Sequence, residues 1–202
     1  MAKVHFITHP EVAIDPAVPV PEWPLSPRGL ARARAMLGQG WVAALRSVSS
    51  STERKATDMA AMLAGHLGLG FTPSAALGEN DRSATGYLPR AEFEATADAF
   101  FARPEDSVRG WERAVDAQAR IVVAVETVLA REPPGDVAIV AHGGVGALLL
   151  CHLKRVPISR AEDQPGDGGG NVFTFDRASR TLLRGWRPIE DQSVMSSGRC
   201  GR

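Results

Sequence analysis

Short β-type runs that alternate with helix-like segments constrain the fold of this chain more than any other feature. The strongest run, Val-Ala-Ile-Val-Ala-His at residues 137–142, is followed by two glycines and a helix-like stretch at residues 145–154. A second run, Val-His-Phe-Ile-Thr-His at residues 4–9, also ends in a histidine. In open α/β sheets, ligands bind where strands end and helices begin. We therefore expect His9 and His142 to meet at the ends of adjacent parallel strands.

The order of the predicted elements indicates an α/β fold with three α/β/α layers. Strand-like and helix-like segments alternate, which is typical of a mostly parallel central sheet covered on both faces. Two further runs, at residues 172–175 and 181–186, predict a hairpin and hence an antiparallel C-terminal edge. A chain of 202 residues has the length of one domain, which we place at residues 1–190, with a tail at 191–202. The other predicted strands cover residues 3–9, 46–50, 71–74 and 137–142, and the predicted helices cover 27–37, 51–66, 91–101, 111–131 and 145–154.

Composition and charge limit the classes of partner. Hydrophobic residues make up 44% of the chain, and 23 basic side chains balance 23 acidic ones. This balance gives no support to a nucleic-acid or anionic-membrane partner, and the apolar runs are far shorter than the roughly 20 residues that span a membrane. The N-terminus lacks the apolar core of a signal peptide. The two cysteines, Cys151 and Cys200, form no disulfide framework, so we expect a cytoplasmic protein.

Four motifs occur in a fixed order along the chain. Ile-Thr-His-Pro at 7–10 ends the first strand, and Ser-Ser-Ser-Thr-Glu-Arg at 49–54 leads from the second strand into a helix. Leu-Gly-Glu-Asn at 77–80 follows the third strand, and Ala-His-Gly-Gly at 141–144 ends the fourth. With Leu-Ser-Pro-Arg-Gly at 25–29 between the first two, this order resembles the histidine phosphatase superfamily, also called phosphoglycerate-mutase-like, over nearly the whole chain. Members of that family carry Arg-His-Gly, a Ser-Ser-x-x-x-Arg-type motif, a central acidic residue and a late His-Gly.

The resemblance implies a phosphohistidine mechanism that needs no metal or cofactor. His9 would attack phosphorus as a neutral imidazole, a form available at physiological pH because histidine has a pKa of about 6.5. Arg54 and His142 would bind the phosphoryl oxygens and offset the developing charge. Glu79 would protonate the leaving alkoxide and then take a proton from the hydrolysing water.

The first motif departs from the family pattern. Thr8 stands where the family has arginine, and Pro10 stands where it has glycine. Thr8 and Gly143 would still belong to the phosphate-binding set, but a hydroxyl carries no charge, and Pro10 lacks a backbone N–H. Pro10 also favours an extended backbone at His9. Three basic residues could supply the lost charge: Arg28, Lys55 and Arg82.

Several alternatives stay open at this level. Asp81 and Glu92 compete with Glu79 for the role of the acid. The favoured function is a phosphatase acting on a phosphomonoester or related phosphate. The alternative is a catalytically degraded relative that binds a phosphorylated metabolite or a protein partner. A mutase is less favoured, because it would have to keep water away from the phosphoenzyme.

The expected ligand is a small phosphorylated substrate whose identity the sequence does not give. Specificity would come from the proline-rich segment 10–24 and the irregular segment 78–110, since loops carry function. An exposed hairpin edge would also allow a homodimer. The aromatic residues of these segments could form either an apolar lid or core: Trp23, Tyr87, Phe93, Phe100 and Phe101.

Overall fold

One mixed β-sheet organises the chain in the structure, a computed structural model that describes residues 1–191. Its strands are β1 (Lys3–Thr8), β2 (Leu45–Ser50), β3 (Thr72–Pro73), β4 (Asp136–Ala141), β5 (Asn171–Asp176) and β6 (Leu182–Pro188). Their order across the sheet is β3-β2-β4-β1-β5-β6. The first four are mutually parallel, whereas β5 runs antiparallel to β1 and to β6. The predicted mostly parallel sheet with an antiparallel C-terminal edge is confirmed. The predicted tail at 191–202 lies outside the described residues except for Asp191.

Helices cover both faces of this sheet. They are α1 (Pro27–Met36), α2 (Arg54–Leu67), α3 (Arg90–Ala102), α4 (Ala114–Arg131) and α5 (Gly143–Lys154). Side chains of β4 alternate between the faces, as strand geometry requires. Ala138 and Val140 pack into a core with α1 and α2, and Ile139 packs into a core with α4 and α5. None of the helices in residues 1–191 is long and apolar enough to cross a membrane.

Two helices begin later than the sequence predicts. The sequence starts the second helix at residue 51 or 52, but the backbone N–H of Ser51 donates to the Val140 carbonyl at 2.9 Å and so continues the pairing of β2 with β4. Helix α2 therefore begins at Arg54. The sequence starts the long helix at Trp111, but Gly110 has a φ of +82°. Trp111 is instead buried in a cluster beside α3, and α4 begins three residues later.

A glycine in α1 joins this helix to the proline-rich segment beside His9. Ser26 caps the helix by accepting from the Gly29 N–H at 3.0 Å, and its hydroxyl donates to the Glu11 carboxylate at 2.7 Å. The Ser26 N–H donates to the Glu11 carbonyl at 2.9 Å. A Cβ at Gly29 would overlap that same carbonyl oxygen. Only glycine permits so close an approach, and the contact holds the segment that follows His9.

Candidate active site

Two histidines meet at the carboxyl edge of the sheet. His9 follows β1 and His142 follows β4, and these strands are parallel neighbours in which Thr8 pairs with Ala141. The His9 N–H donates to the Ala141 carbonyl at 3.1 Å. The two rings lie edge to face with their centroids 5.1 Å apart. The sequence predicts this meeting from two motifs separated by more than half of the chain.

One hydrogen bond, from the His9 ring to the Pro10 carbonyl, determines which ring nitrogen of His9 carries the proton. Nδ1 lies 2.9 Å from the Pro10 carbonyl oxygen, which only accepts hydrogen bonds. In the neutral imidazole Nδ1 therefore carries the proton, and Nε2 keeps its lone pair. Burial, together with the neighbouring His142, lowers the pKa of His9 to about 3. His9 is consequently neutral at physiological pH, with an unprotonated Nε2.

The glycine-rich loop before β5 fixes the backbone of His9. The Gly170 N–H donates to the His9 carbonyl at 3.0 Å, and a Cβ at Gly169 would overlap the same oxygen. Both glycines have positive φ. The Arg32 guanidinium donates to the carbonyls of Gly169 and Gly170, each at 2.8 Å. The loop before β5 therefore holds the backbone of His9 in place.

Glu53 and Lys55 join the site. The sequence does not assign Glu53 to it, and it offers Lys55 only as one of three sources of the lost charge. His142 is 1% exposed, and its Nε2 lies 3.2 Å from Glu53 Oε1 without the direction of a hydrogen bond. Lys55 is 4% exposed, lies 2.5 Å from the other Glu53 oxygen, and donates to the Val20 carbonyl at 2.8 Å. Burial raises the pKa of Glu53, but His142 and Lys55 outweigh it and lower that pKa to about 2. Burial also lowers the pKa of His142, while Glu53 opposes that effect.

Of the two adjacent cations after β2, the structure places Lys55 and not Arg54 beside the two histidines. The sequence assigns phosphate binding to Arg54, but Arg54 is the exposed first residue of α2. Its neighbour Lys55 is buried, and its charge lowers the pKa values of His9 and His142. Lys55 lies four residues before Met59 and eight before Leu63, so it shares the buried face of α2 with them, whereas Arg54 does not. Lys55 is one of the three basic residues that the sequence offers as compensation.

The side chain of Glu79 lies at the N-terminus of α5, the helix that begins directly after His142. Its carboxylate accepts from the N–H groups of Gly144 and Val145, each at 3.0 Å, and lies 3.2 Å from the Arg82 guanidinium. Burial raises the pKa of Glu79, but Arg82, His142 and the Gly144 N–H outweigh it and lower that pKa. The carboxyl is therefore ionised, which suits the role of a base better than that of an acid.

The other acids and cations considered from sequence lie elsewhere or have another use. Asp81 is exposed, and Glu92 is exposed beside Arg109. Arg28 is 75% exposed and pairs with Glu11 at 3.5 Å. Arg82, in contrast, lies between Glu79 and two aromatic rings, with its guanidinium carbon 4.9 Å from the centroids of both Phe93 and Trp111. Within residues 1–191, no group of three or more His, Cys, Asp or Glu side chains is arranged to hold a metal ion.

Thr8 has a fully buried side chain that bonds to two residues near β5. Its hydroxyl donates to Gln164 Oε1 at 2.6 Å and accepts from the Asn171 N–H at 2.9 Å. Gly143, the other predicted phosphate-binding residue, begins α5, and a Cβ there would overlap Gln164 Nε2. Gln164 thus lies against both residues, and no motif in the sequence points to it.

The aromatic residues near the site divide between core and rim. Phe100 and Phe101 are buried in a cluster with Trp111, and Phe93 packs against that cluster. Trp23 and Tyr87 instead contact each other, with ring centroids 5.6 Å apart. This pair connects the proline-rich segment 10–24 to the irregular segment 78–110. Trp23 is 6% exposed and Tyr87 is 39% exposed, so the lid interpretation concerns only Tyr87.

These elements define the class of protein. The chain belongs to the histidine phosphatase superfamily, branch 1, whose family model matches residues 17–185. The matched part begins after the first motif, in which Thr8 and Pro10 depart from the family pattern. No curated protein matches the chain.

Solved structures share the fold over most of its length. The mycobacterial glucosyl-3-phosphoglycerate phosphatase, solved with inorganic phosphate, is 23% identical with a TM-score of 0.72, over 95% of this chain and 100% of that one. YhfR from Bacillus stearothermophilus is 21% identical with a TM-score of 0.76, over 91% of this chain and 95% of that one. Phosphoserine phosphatase from Entamoeba histolytica, in complex with 3-phosphoglyceric acid, is 17% identical with a TM-score of 0.70, over 91% and 95%. At these identities the likeness shows the fold.

Proposed function

We propose that this protein is a phosphatase that hydrolyses a phosphomonoester or related phosphate through a phosphohistidine on His9. The observation that carries the proposal is the unprotonated Nε2 of His9 beside the ring of His142. Membership of the histidine phosphatase superfamily supports a phosphatase activity. The mycobacterial and amoebal neighbours, solved with phosphate and with 3-phosphoglyceric acid, favour a small phosphorylated substrate.

The first chemical step transfers the phosphoryl group to His9. Nε2 donates its lone pair to phosphorus, the P–N bond forms as the ester P–O bond breaks, and the leaving oxygen takes a proton from water or from the protonated form of Glu79. Lys55 and His142 bind the phosphoryl oxygens and offset the charge that develops on them. The Gly143 N–H at the start of α5 adds a further donor for these oxygens, whereas the N–H groups of Gly144 and Val145 already donate to Glu79.

The second step returns His9 to its neutral form. Glu79 takes a proton from water, the oxygen of that water bonds to phosphorus, and the P–N bond breaks to release inorganic phosphate. The lowered pKa of Glu79 keeps this carboxylate ionised, in the form that can accept a proton. When Glu79 is protonated, it can supply the proton of the first leaving oxygen.

One arrangement favours the alternative, a degraded relative that binds a phosphorylated metabolite or a protein partner. Thr8 brings no charge, and its hydroxyl is already bonded to Gln164 and Asn171. Glu53 also offsets the charge of Lys55. Under this alternative the protein would bind phosphate but release none from a panel of phosphorylated compounds, and it would form no acid-labile phosphohistidine.

Turnover of a generic aryl phosphate tests the proposal. His9→Ala should abolish release of the phenol, because no other described side chain is placed to accept the phosphoryl group. If His9→Ala retained wild-type turnover, His9 would not be the nucleophile. A cytoplasmic location and a homodimer stay predictions.

A further inference from the structure

We propose that Gln164 is a phosphate-binding residue whose side-chain amide takes the place of the arginine missing at position 8. This inference rests on the proposed function, because it concerns the same site. It names a residue that no motif of the sequence contains.

The orientation of the Gln164 amide follows from its neighbours. Asn171 Nδ2 lies 3.1 Å from the Pro165 carbonyl and 3.3 Å from the Gly169 carbonyl, both of which only accept. Asn171 must therefore present its NH2 group there, and the Gln164 atom 3.1 Å away must be an acceptor. Thr8 agrees with this assignment, since its hydroxyl accepts from the Asn171 N–H, lies 2.6 Å from the same Gln164 oxygen and lies 3.3 Å from the Asn171 carbonyl oxygen. With Oε1 fixed, Nε2 must lie on the other side of the amide.

That other side faces the carboxyl edge of the sheet. Nε2 lies against Gly143, so close that a Cβ at that position would overlap it. Gly143 follows His142 directly, and Thr8 precedes His9 directly. The amide therefore spans the ends of β1 and β4, between the two chain positions from which the histidines project. Within residues 1–191 Nε2 has no hydrogen-bond acceptor, so both of its protons are available to a ligand.

The loop that carries Gln164 is held from several directions. Arg160 pairs with Glu94 and Asp98 of α3. The Trp186 indole donates to the Glu162 carbonyl at 2.9 Å, and Asp163 accepts from the Gln164 N–H at 2.8 Å. A donor held in place before the ligand arrives needs little reorganisation to bind it.

Position 8 and position 164 compete for the same space. The Thr8 side chain has no exposed surface, and Gln164 and Asn171 contact it directly. An arginine at position 8 would need the room that Gln164 now fills. The smaller Thr8 thus allows Gln164 to reach the site, and its hydroxyl directs the Gln164 NH2 group outward.

Two substitutions at position 164 separate a binding role from a packing role. Gln164→Glu keeps an oxygen for Thr8 and Asn171 but replaces the outward NH2 with a carboxylate oxygen. Gln164→Ala removes both groups. The readouts are competitive inhibition of aryl phosphate hydrolysis by inorganic phosphate, and calorimetric binding of inorganic phosphate to each variant combined with His9→Ala, which isolates binding from turnover. A hydrogen bond to a charged group corresponds to about 10- to 100-fold in affinity, so Gln164→Ala should weaken phosphate binding by that factor and Gln164→Glu by more.

The competition between the two positions gives a second, reciprocal test. Thr8→Arg alone should lower both thermal stability and activity, because the arginine has no room. Thr8→Arg combined with Gln164→Gly should recover phosphate affinity at least to the wild-type value. The inference is overturned if Gln164→Glu, folded by circular dichroism, binds inorganic phosphate as tightly as its parent. A wild-type protein that neither binds phosphate nor hydrolyses the aryl ester would instead overturn the proposed function.

Discussion

His9 and His142 lie with their ring centroids 5.1 Å apart, edge to face, although 132 residues separate them along the chain. The pairing of β1 with β4 brings them together, because residues that follow neighbouring parallel strands emerge at the same edge of a sheet. Three other side chains lie near this pair, each on a different segment between strands: Lys55, Glu79 and Gln164. The following predictions test what each of these groups does.

Lys55, rather than Arg54, should be the cation that binds phosphate. Lys55→Met keeps most of the buried stem and removes the charge, so kcat/KM for an aryl phosphate should fall by roughly 100-fold. Arg54→Met, the matched control, should stay within about twofold of wild type because Arg54 is exposed. Steady-state kinetics of both variants would contradict the assignment if the larger loss followed the change at Arg54.

Glu79 should act mainly as the base of the second step. Glu79→Gln should still be phosphorylated by an aryl phosphate, whose leaving group needs little protonation, but dephosphorylation should slow by about 100-fold or more. Stopped-flow kinetics should then show a burst of phenol followed by slow turnover. Asp81→Asn is the control, since Asp81 is exposed and bonds to the Ser83 N–H. Equal slowing of both steps, with no burst, would be inconsistent with this role.

Three histidines, His5, His9 and His142, should make the fold sensitive to mild acid, because burial lowers the pKa of each. Burial lowers the pKa of His5 to about 4 and, with His142, that of His9 to about 3, whereas unfolded histidine has a pKa of about 6.5. Below about pH 6.5 the unfolded chain binds more protons than the native protein, so the free energy of unfolding falls as the pH decreases.

Urea denaturation at pH 7 and pH 5 measures this effect. Each histidine contributes at most about 1.4 kcal/mol per pH unit, and the carboxylates with lowered pKa values stay ionised in this range. The variant His9→Asn should therefore lose less stability between the two pH values than wild type does. Identical losses in both proteins would show that His9 is not held neutral by the fold.

Gly29 should be irreplaceable even though it lies in a helix. Gly29→Ala would place a Cβ on the Glu11 carbonyl oxygen, and such overpacking costs about 1–3 kcal/mol. Gly65 in α2 is the control, because a Cβ there has no atom within 4 Å. Gly65→Ala should stabilise the protein by up to about 1 kcal/mol through helix propensity. Thermal or urea unfolding of the two variants should thus shift in opposite directions, and a stabilised Gly29→Ala would refute the close contact.

The sequence predicts the parts of the fold and site that depend on strong local patterns. The runs that become β1 and β4 have unambiguous strand character, and their terminal histidines follow from it. Lys55 is a different case, because the helical periodicity already contains the signal. Lys55 lies four residues before Met59 and eight before Leu63, on the buried face of α2, whereas the motif resemblance favours Arg54.

Gln164 could not be predicted from local sequence. Its placement depends on the path of an irregular loop, and the orientation of its amide depends on Asn171 and Thr8, which are far apart in sequence from each other. Sequence alone does not assign Glu53 to the site, because a carboxylate at a helix start is usually a surface residue that interacts favourably with the helix dipole. Side chains whose positions depend on a loop path or on long-range contacts can be located only when the whole fold is known.

Trapping the phosphoenzyme tests the central claim most directly. Wild-type protein mixed with an excess of aryl phosphate, quenched in alkali within milliseconds to seconds and digested, should yield a peptide that carries phosphate on His9. The modification should survive alkali, disappear in acid, be absent from His9→Ala and accumulate in Glu79→Gln. Phosphate on another residue, or turnover of the aryl phosphate with no phosphorylated peptide in either wild type or Glu79→Gln, would contradict the mechanism.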